Sequence, residues 1–156
     1  MEKHEQKLFA TFLSSSKDKI LIQDEKKSFY WPRLDTLKHG LIDWNWSSKE
    51  IKLFCTAFDE PFKGASTFMN GHRVFLTDAK LVDSSIYFHP FQAGLVYRIL
   101  NKFVYIATIN GGIKVKVKSI ENLKGKVIKN INIRLGDRFI TPEKFLYLAK
   151  TEKCDY

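Results

Sequence analysis

The sequence predicts an α+β protein that is mainly β, with a small antiparallel barrel that follows a linker and an amphipathic helix and precedes a C-terminal helix. Short apolar stretches between residues 72 and 134 are separated by turn signals, a pattern typical of small barrels. Helix starts at Ser47 and at Thr141 bracket this region. The apolar content of 44% is sufficient for a core of this kind.

The first of these helices has a complete local start signal. Ser47 and Glu50 have the spacing of a capping box, and Trp46 and Ile51 have the spacing of a hydrophobic staple. The stretch 61–64, which contains a proline and a glycine, predicts the end of the helix. One helical face is apolar, formed by Ile51, Phe54, Cys55 and Phe58.

Strands are predicted to follow the helix. Their expected ranges are 72–81, with Val74, Leu76 and Ala79 inward, then 94–100, 103–109, 113–119, and 125–134, with Ile131 and Ile133 inward. The turn signals are Asn70-Gly71, Asn110-Gly111-Gly112 and Gly136-Asp137. In the stretch 113–119, three apolar residues alternate with three lysines, which predicts one buried and one exposed face.

The two ends of the chain are predicted to be helical. Residues 3–13 favour a short helix, 19–23 a strand, 24–27 a charged turn and 35–40 a loop, so that residues 19–45 have the character of a linker. Thr141 and Pro142 indicate an N-cap and a first helical position for the last helix. We expect Phe145, Leu148 and Ala149 to face inward from it.

The charge of the chain favours an anionic partner. The net charge is +9 and the pI about 9.5, which suits RNA, phosphates or an anionic surface, although a generally lysine-rich composition explains it equally well. Cys55 and Cys154 are the only cysteines, as expected in a reducing compartment. No secretory signal or membrane-spanning run is evident, so the sequence predicts a cytoplasmic protein.

Seven cations between residues 111 and 135 form the candidate nucleic-acid-binding site. Only Glu121 opposes them within this stretch. Strand alternation places the first three about 7 Å apart along one face, near the phosphate spacing of a single strand, with Tyr97, Phe103 and Tyr105 as candidate stacking rings. The alternative is a solvated outer face of the barrel, on which lysines prevent edge strands from pairing with other chains. The seven are Lys114, Lys116, Lys118, Lys124, Lys126, Lys129 and Arg134.

Four short segments resemble a known family in their order and spacing. The segment Ile42–Trp44 precedes the helix and Ala57–Thr67, AFDEPFKGAST, follows it; Tyr30–Leu34 lies upstream and Gly94–Val96 downstream. Together these segments, over residues 30–139, resemble the C-terminal domain of the methionyl-tRNA formyltransferase family.

The resemblance implies an OB-like barrel within a domain of residues 46–156. Residues 1–45 would be a helix and linker at the tail of an upstream catalytic formyltransferase domain. The intact enzyme would move a formyl group from 10-formyltetrahydrofolate to an amine, most simply on methionyl-tRNA. This domain would position the acceptor, so tRNA or another phosphate-bearing molecule is the expected partner, with no cofactor and no membrane contact for this chain itself.

Two other functions stay open. Phe62-Lys63 occupies the place where tRNA-specific members favour Trp-Pro, which leaves room for a nucleotide-amino-sugar N-formyltransferase. A freestanding barrel for protein interaction or dimerisation belongs to a different class of function altogether.

The family's catalytic Asn, His and Asp have no counterpart in the motifs of this chain. None of the four histidines lies in the family's H-x-S-like context, and His72 in Asn70-Gly71-His72 falls on a hairpin signal. Asp59 and Glu60 have the positions of turn and helix-end residues, and no Cys/His spacing suits a metal. We therefore expect no catalytic or metal-binding residue, and no formyl transfer by the chain alone.

Overall fold

The computed structural model describes residues 24–29, 33–82 and 85–152 of the chain. The helix predicted at 3–13 and the strand predicted at 19–23 lie outside these residues. By their contacts, Met1–Trp31 and Pro32–Tyr156 form two separate units. In the first unit, Glu25–Lys27 form a 3₁₀ helix capped by Asp24, where the charged turn was predicted.

The second unit has the predicted succession of a helix, several strands and a C-terminal helix, with an additional short helix at Thr36–His39 and an additional strand at Ala65–Met69 that were not predicted. The helices are α1 (Thr36–His39), α2 (Ser48–Ala57) and α3 (Glu143–Thr151), and a 3₁₀ helix spans Pro90–Gln92. The strands are β1 (Ala65–Met69), β2 (His72–Leu81), β3 (Val96–Leu100), β4 (Phe103–Thr108) and β5 (Gly111–Glu121). No helix in the described part of the chain is both long and apolar enough to cross a membrane.

The five strands form one antiparallel sheet in the order β1-β2-β5-β4-β3. The segment 136–140 connects the two edge strands. The Gly136 N–H donates to the Val96 carbonyl at 2.9 Å, and the Ile140 N–H donates to the Phe68 carbonyl at 2.9 Å. This extra segment gives the sheet its barrel-like closure, and the predicted mainly β architecture is confirmed.

Two local predictions differ from the structure near the N-terminal side. Residues 36–39, within the predicted loop, form the short helix α1, because the Asp35 carboxylate accepts the N–H groups of Leu37 and Lys38 at 2.7 and 3.0 Å. Ile42 and Trp44, which were grouped with the linker, are buried in the barrel core. The linker character of this stretch therefore ends before Leu41.

The strand predicted at 125–134 is wrong. This stretch is irregular and makes a single isolated bridge, between Val127 and Glu121. The Asn122 side chain accepts the N–H groups of Lys124 and Lys126 at 3.0 and 2.9 Å, so a local turn takes a donor, the Lys126 N–H, at the start of this stretch. The inward placement of Ile131 and Ile133 is confirmed, because both pack against the core.

The start of α3 also differs from its prediction. Pro142 is the N-cap and makes no side-chain cap bond. The Thr141 hydroxyl is buried instead, 3.1 Å from the Thr67 hydroxyl, which in turn accepts from the Trp44 indole N–H at 2.9 Å. Tertiary hydrogen bonding therefore overrides capping here. Phe145 faces inward and stacks on Phe68, Ala149 is half-buried, and Leu148 is 47% exposed, contrary to prediction.

Helix α2 has the predicted capping box and the predicted apolar face. The Glu50 N–H donates to the Ser47 hydroxyl at 3.3 Å, and the Glu50 carboxylate accepts the Ser47 N–H at 2.8 Å, which confirms the capping box. The predicted face packs inward: Ile51, Cys55 and Phe58 are buried, and Phe54 lies partly buried against the core.

Replacing Ser47 with alanine is expected to lower the free energy of unfolding by about 1 kcal/mol, the usual value of an N-cap. Hydrogen bonds from Ser47 hold the pKa of Glu50 below its ordinary value. The part of this difference that comes from the bond between the Ser47 hydroxyl and the Glu50 carboxylate should be present at neutral pH and be lost as the pH falls through this lowered pKa. Urea melts at several pH values test this. A difference in the free energy of unfolding that stays the same from neutral to acid pH would contradict it.

Candidate functional site

The outer side of the sheet carries the strand lysines of the predicted site. Val104 and Ile106 of β4 point into the core, so Phe103 and Tyr105 lie half-buried on the opposite side. The register places Lys80, Lys114, Tyr105 and Arg98 in one row across β2, β5, β4 and β3. We call this surface the basic face, formed by Lys80, Arg98, Phe103, Tyr105, Lys114, Lys116 and Lys118.

Three ammonium groups gather around one aromatic ring on the basic face. The Nζ atoms of Lys80, Lys114 and Lys116 lie 5.2, 5.5 and 5.1 Å from the centroid of the Phe103 ring. These distances are within the range of cation–π attraction, so the ring supports three cations that would otherwise repel one another. Lys80 was missed in the sequence because it lies outside the lysine-rich stretch.

Asp78 is the counter-ion of this group. Its carboxylate lies 2.8 Å from Lys80 Nζ and 2.9 Å from Lys116 Nζ. Hydrogen bonds, first from Lys116 and then from Lys80, hold the pKa of Asp78 below its ordinary value, so it is ionised at neutral pH. Among the described residues, Lys114 has no carboxylate within ion-pair distance. We call these five residues the Phe103 cluster: Asp78, Lys80, Phe103, Lys114 and Lys116.

A β-bulge brings Asp78 and Lys80 to this position. Thr77 pairs with Lys116 and Lys80 with Lys114, so Asp78 and Ala79 together oppose a single residue of β5. One extra residue reverses the inward and outward alternation, which buries Ala79 and places Lys80 on the outer side. The inward residues predicted for this strand, Val74, Leu76 and Ala79, already depart from strict alternation, but the consequence for Lys80 could not be predicted from them.

Lys118 has a different environment from its two strand neighbours. Its Nζ donates to the Phe62 carbonyl at 3.1 Å and lies 3.7 Å from the Glu60 carboxylate. It is therefore attached to the loop that follows α2. The outward alternation predicted for the three β5 lysines is confirmed.

The other four predicted cations are not on the sheet. Lys124, Lys126, Lys129 and Arg134 are exposed in the irregular stretch that follows β5. The sequence grouped seven cations into one site, and the structure separates them into three on β5 and four in this loop.

The aromatic rings on this side are already covered. The Arg98 guanidinium lies 5.2 Å from the Tyr105 ring centroid, and Tyr97 packs between Phe88 and Tyr105 at centroid distances of 4.8 and 6.1 Å. Burial raises the pKa of Tyr97, whose hydroxyl has no hydrogen-bond partner within the described residues. These contacts favour a role for the rings in supporting cations over a role in stacking on bases.

A recess of about 520 Å³ lies on another side of the barrel, and its charged groups already have partners. Lys63 Nζ contacts the two carboxylate oxygens of the buried Glu121 at 2.7 and 2.8 Å and lies 4.4 Å from the Phe75 ring centroid. Arg73 donates to the Ser66 hydroxyl at 2.9 and 3.0 Å. Lys63, one of the two residues at which this chain departs from the Trp-Pro pattern, therefore has a structural role.

The described histidines serve local structure. His72 Nδ1 lies 2.8 Å from the Asn70 carbonyl in the β1–β2 turn, and His89 accepts the Phe91 N–H at 3.2 Å as a cap. His39 accepts the Asp35 N–H at 2.8 Å. Burial, with a smaller contribution from Asp59, raises the pKa of Cys55 to about 12, so this thiol stays protonated and is not a nucleophile.

Residues 36–132, more than half of the 156, match the family described as Formyl transferase, C-terminal domain. The chain belongs to this family. The match confirms the formyl transferase resemblance seen in the segments at 42–44 and 57–67. It spans α1, α2 and all five strands of the formyl transferase C-terminal domain, and hence the whole basic face.

Proposed function

We propose that this formyl transferase C-terminal domain positions the amine-bearing acceptor of a formyl transfer, and that the acceptor is methionyl-tRNA. The observation that carries the proposal is the basic face, where Lys80 of β2, Lys114 of β5 and Arg98 of β3 lie in one row with Tyr105 of β4, and Lys116 follows Lys114 on β5. A row of cations on a rigid sheet suits a phosphate backbone, because phosphate contacts fix the register and orientation of a nucleic acid.

The chemistry itself is proposed to take place on a catalytic domain. The formyl donor, 10-formyltetrahydrofolate, is assigned to that domain, and no residue of this chain is assigned to it. The three described histidines each bond to the backbone of their own turn, which supports this division of labour. The role left for this domain is electrostatic binding and orientation of the acceptor.

Changing Lys114, Lys116 and Lys118 together to glutamine is expected to weaken tRNA binding and its salt dependence. Each lost phosphate contact should flatten the slope of log K against log salt by about 0.7 to 0.9, through counterion release. Preference among tRNAs should stay the same, because phosphate contacts carry no sequence information. Filter binding across a salt series measures both quantities.

The matched control removes three lysines from the helices: Lys49 and Lys144, which are exposed, and Lys52, which is half-buried. It changes the net charge equally and leaves the sheet intact. Equal losses of affinity and slope in the two triple variants would mean that net charge alone drives binding, and the basic face would have no part in positioning an acceptor.

A nucleotide-linked amino sugar is the second candidate acceptor. The observation that favours it is the compactness of the cation group, because Lys118 is attached to the 60–62 loop and Asp78 neutralises part of the rest. A short diphosphate needs fewer contacts than a tRNA backbone. Competition between tRNA and a nucleoside diphosphate for the same protein distinguishes the candidates, since only the true acceptor type should bind well at moderate salt.

A further inference from the structure

We propose that the Phe103 cluster is a phosphate-binding site in which Asp78 takes the place of the phosphate until a ligand displaces it. The inference rests on the proposed acceptor role for its biological ligand. It adds a defined site, an internal competitor and a cation, Lys80, that lies outside the lysine-rich stretch of the sequence.

The first support is an electrostatic cost within the sheet. Lys80 and Lys114 are direct cross-strand partners, and like charges in that position repel each other. Lys116 brings a third ammonium group to the same Phe103 ring. A local arrangement that works against folding is expected mainly where function requires it.

The second support is the balance of charge in the cluster. Three ammonium groups face the single Asp78 carboxylate, while the nearby Asp59 carboxylate is turned to the backbone N–H groups of Asp78 and Glu60, at 2.8 Å each. The cluster therefore keeps an excess of positive charge. A phosphate monoester, with a charge of about −1.5 to −2 at neutral pH, would neutralise this excess better than one carboxylate does.

The third support is the geometry of Asp78. Its carboxylate lies 2.8 and 2.9 Å from two of the ammonium groups, which is the position that a phosphate oxygen would occupy. The Asp78 side chain is 31% exposed. It sits in a bulge with φ of 51°, in the left-handed region. Asparagine adopts this backbone region readily, so Asp78→Asn removes the charge while the bulge is retained.

The test compares Asp78→Asn with wild type at low salt, using ADP and a fluorescein-labelled oligouridylate as probes. Loss of the competing carboxylate is expected to tighten binding by about 3- to 10-fold, the size expected for two partly exposed ion pairs. Lys114→Gln, which removes a cation that has no carboxylate partner among the described residues, should weaken binding of the same probes. Calorimetry with ADP and anisotropy with the oligonucleotide measure these changes.

Glu143→Gln on α3 is the matched control, because it raises the net charge by the same amount away from the sheet. Equal affinity of Asp78→Asn and Glu143→Gln for both probes would overturn the proposal, as would unchanged binding in Lys114→Gln. Thermal melts of each variant establish that the barrel is folded, so a loss of binding cannot be confused with unfolding.

The two probes separate the sources of phosphate. If Asp78→Asn binds only ADP more tightly than wild type does, the site is assigned to a nucleotide. If it binds only the oligonucleotide more tightly, the site is assigned to a polynucleotide backbone. Either result supports the cluster even if tRNA does not bind wild type, in which case the methionyl-tRNA role fails on its own. The failure of the site and the failure of the proposed acceptor are therefore distinguishable.

Discussion

Gly94→Ala is expected to destabilise the barrel by at least about 3 kcal/mol, a large effect for a single methyl group. Gly94 has a φ of +82°, and a Cβ built there would collide with the Phe139 carbonyl oxygen. The Phe139 N–H donates to the Gly94 carbonyl at 2.9 Å, so the collision occurs where segment 136–140 joins the sheet. Urea melts measure the loss, and amide exchange at Ile140 should accelerate as the closure loosens.

Gly125→Ala is the control for this change. Gly125 has nearly the same φ, +79°, but no heavy atom lies within 4 Å of the added Cβ. Only the cost of a left-handed alanine remains, about 1–2 kcal/mol. If the two variants lost the same stability, backbone strain alone would explain Gly94, and the close approach of residue 139 would not matter.

The second large effect is expected from Lys63→Ala, with a loss of about 2–4 kcal/mol. Lys63 contacts the two carboxylate oxygens of Glu121, whose side chain is only 5% exposed. Removing the ammonium group leaves a buried carboxylate without its main partner, which costs much more than the intact pair contributes. Chemical denaturation of the variant measures this loss.

Lys118→Ala provides the comparison at an exposed pair. Its partner Glu60 is 79% exposed and 3.7 Å away, so the change should stay within about 0.5 kcal/mol of wild type. The double change Lys63→Ala with Glu121→Gln should recover part of the loss, because it removes both charges without restoring the packing against Phe75. A double variant no more stable than Lys63→Ala would show that packing against Phe75, and not charge, is what Lys63 provides.

Several features of this protein could be predicted because they depend on neighbours in sequence. The capping box of α2 needs only Ser47 and Glu50, three residues apart. The Asn70-Gly71 hairpin needs only two residues that accept positive φ, here 49° and 76°. The outward lysines of β5 follow from the two-residue period of a strand. These patterns determine local conformation, so they determined the helix, this turn and the three β5 lysines of the basic face.

The partner of each charged side chain depended on contacts between segments that are distant in sequence. Lys114 meets Lys80 only because a bulge shifts the β2 register by one residue, and Asp78 neutralises Lys116 from another strand. The stretch 125–134 has an apolar pattern suited to a strand, but the Asn122 side chain accepts the Lys126 N–H in a local turn at its start. The sequence by itself determined which residues are cationic and which face of β5 they occupy. Only the tertiary structure decided which cations have partners, because an ion pair requires two segments to meet in one register.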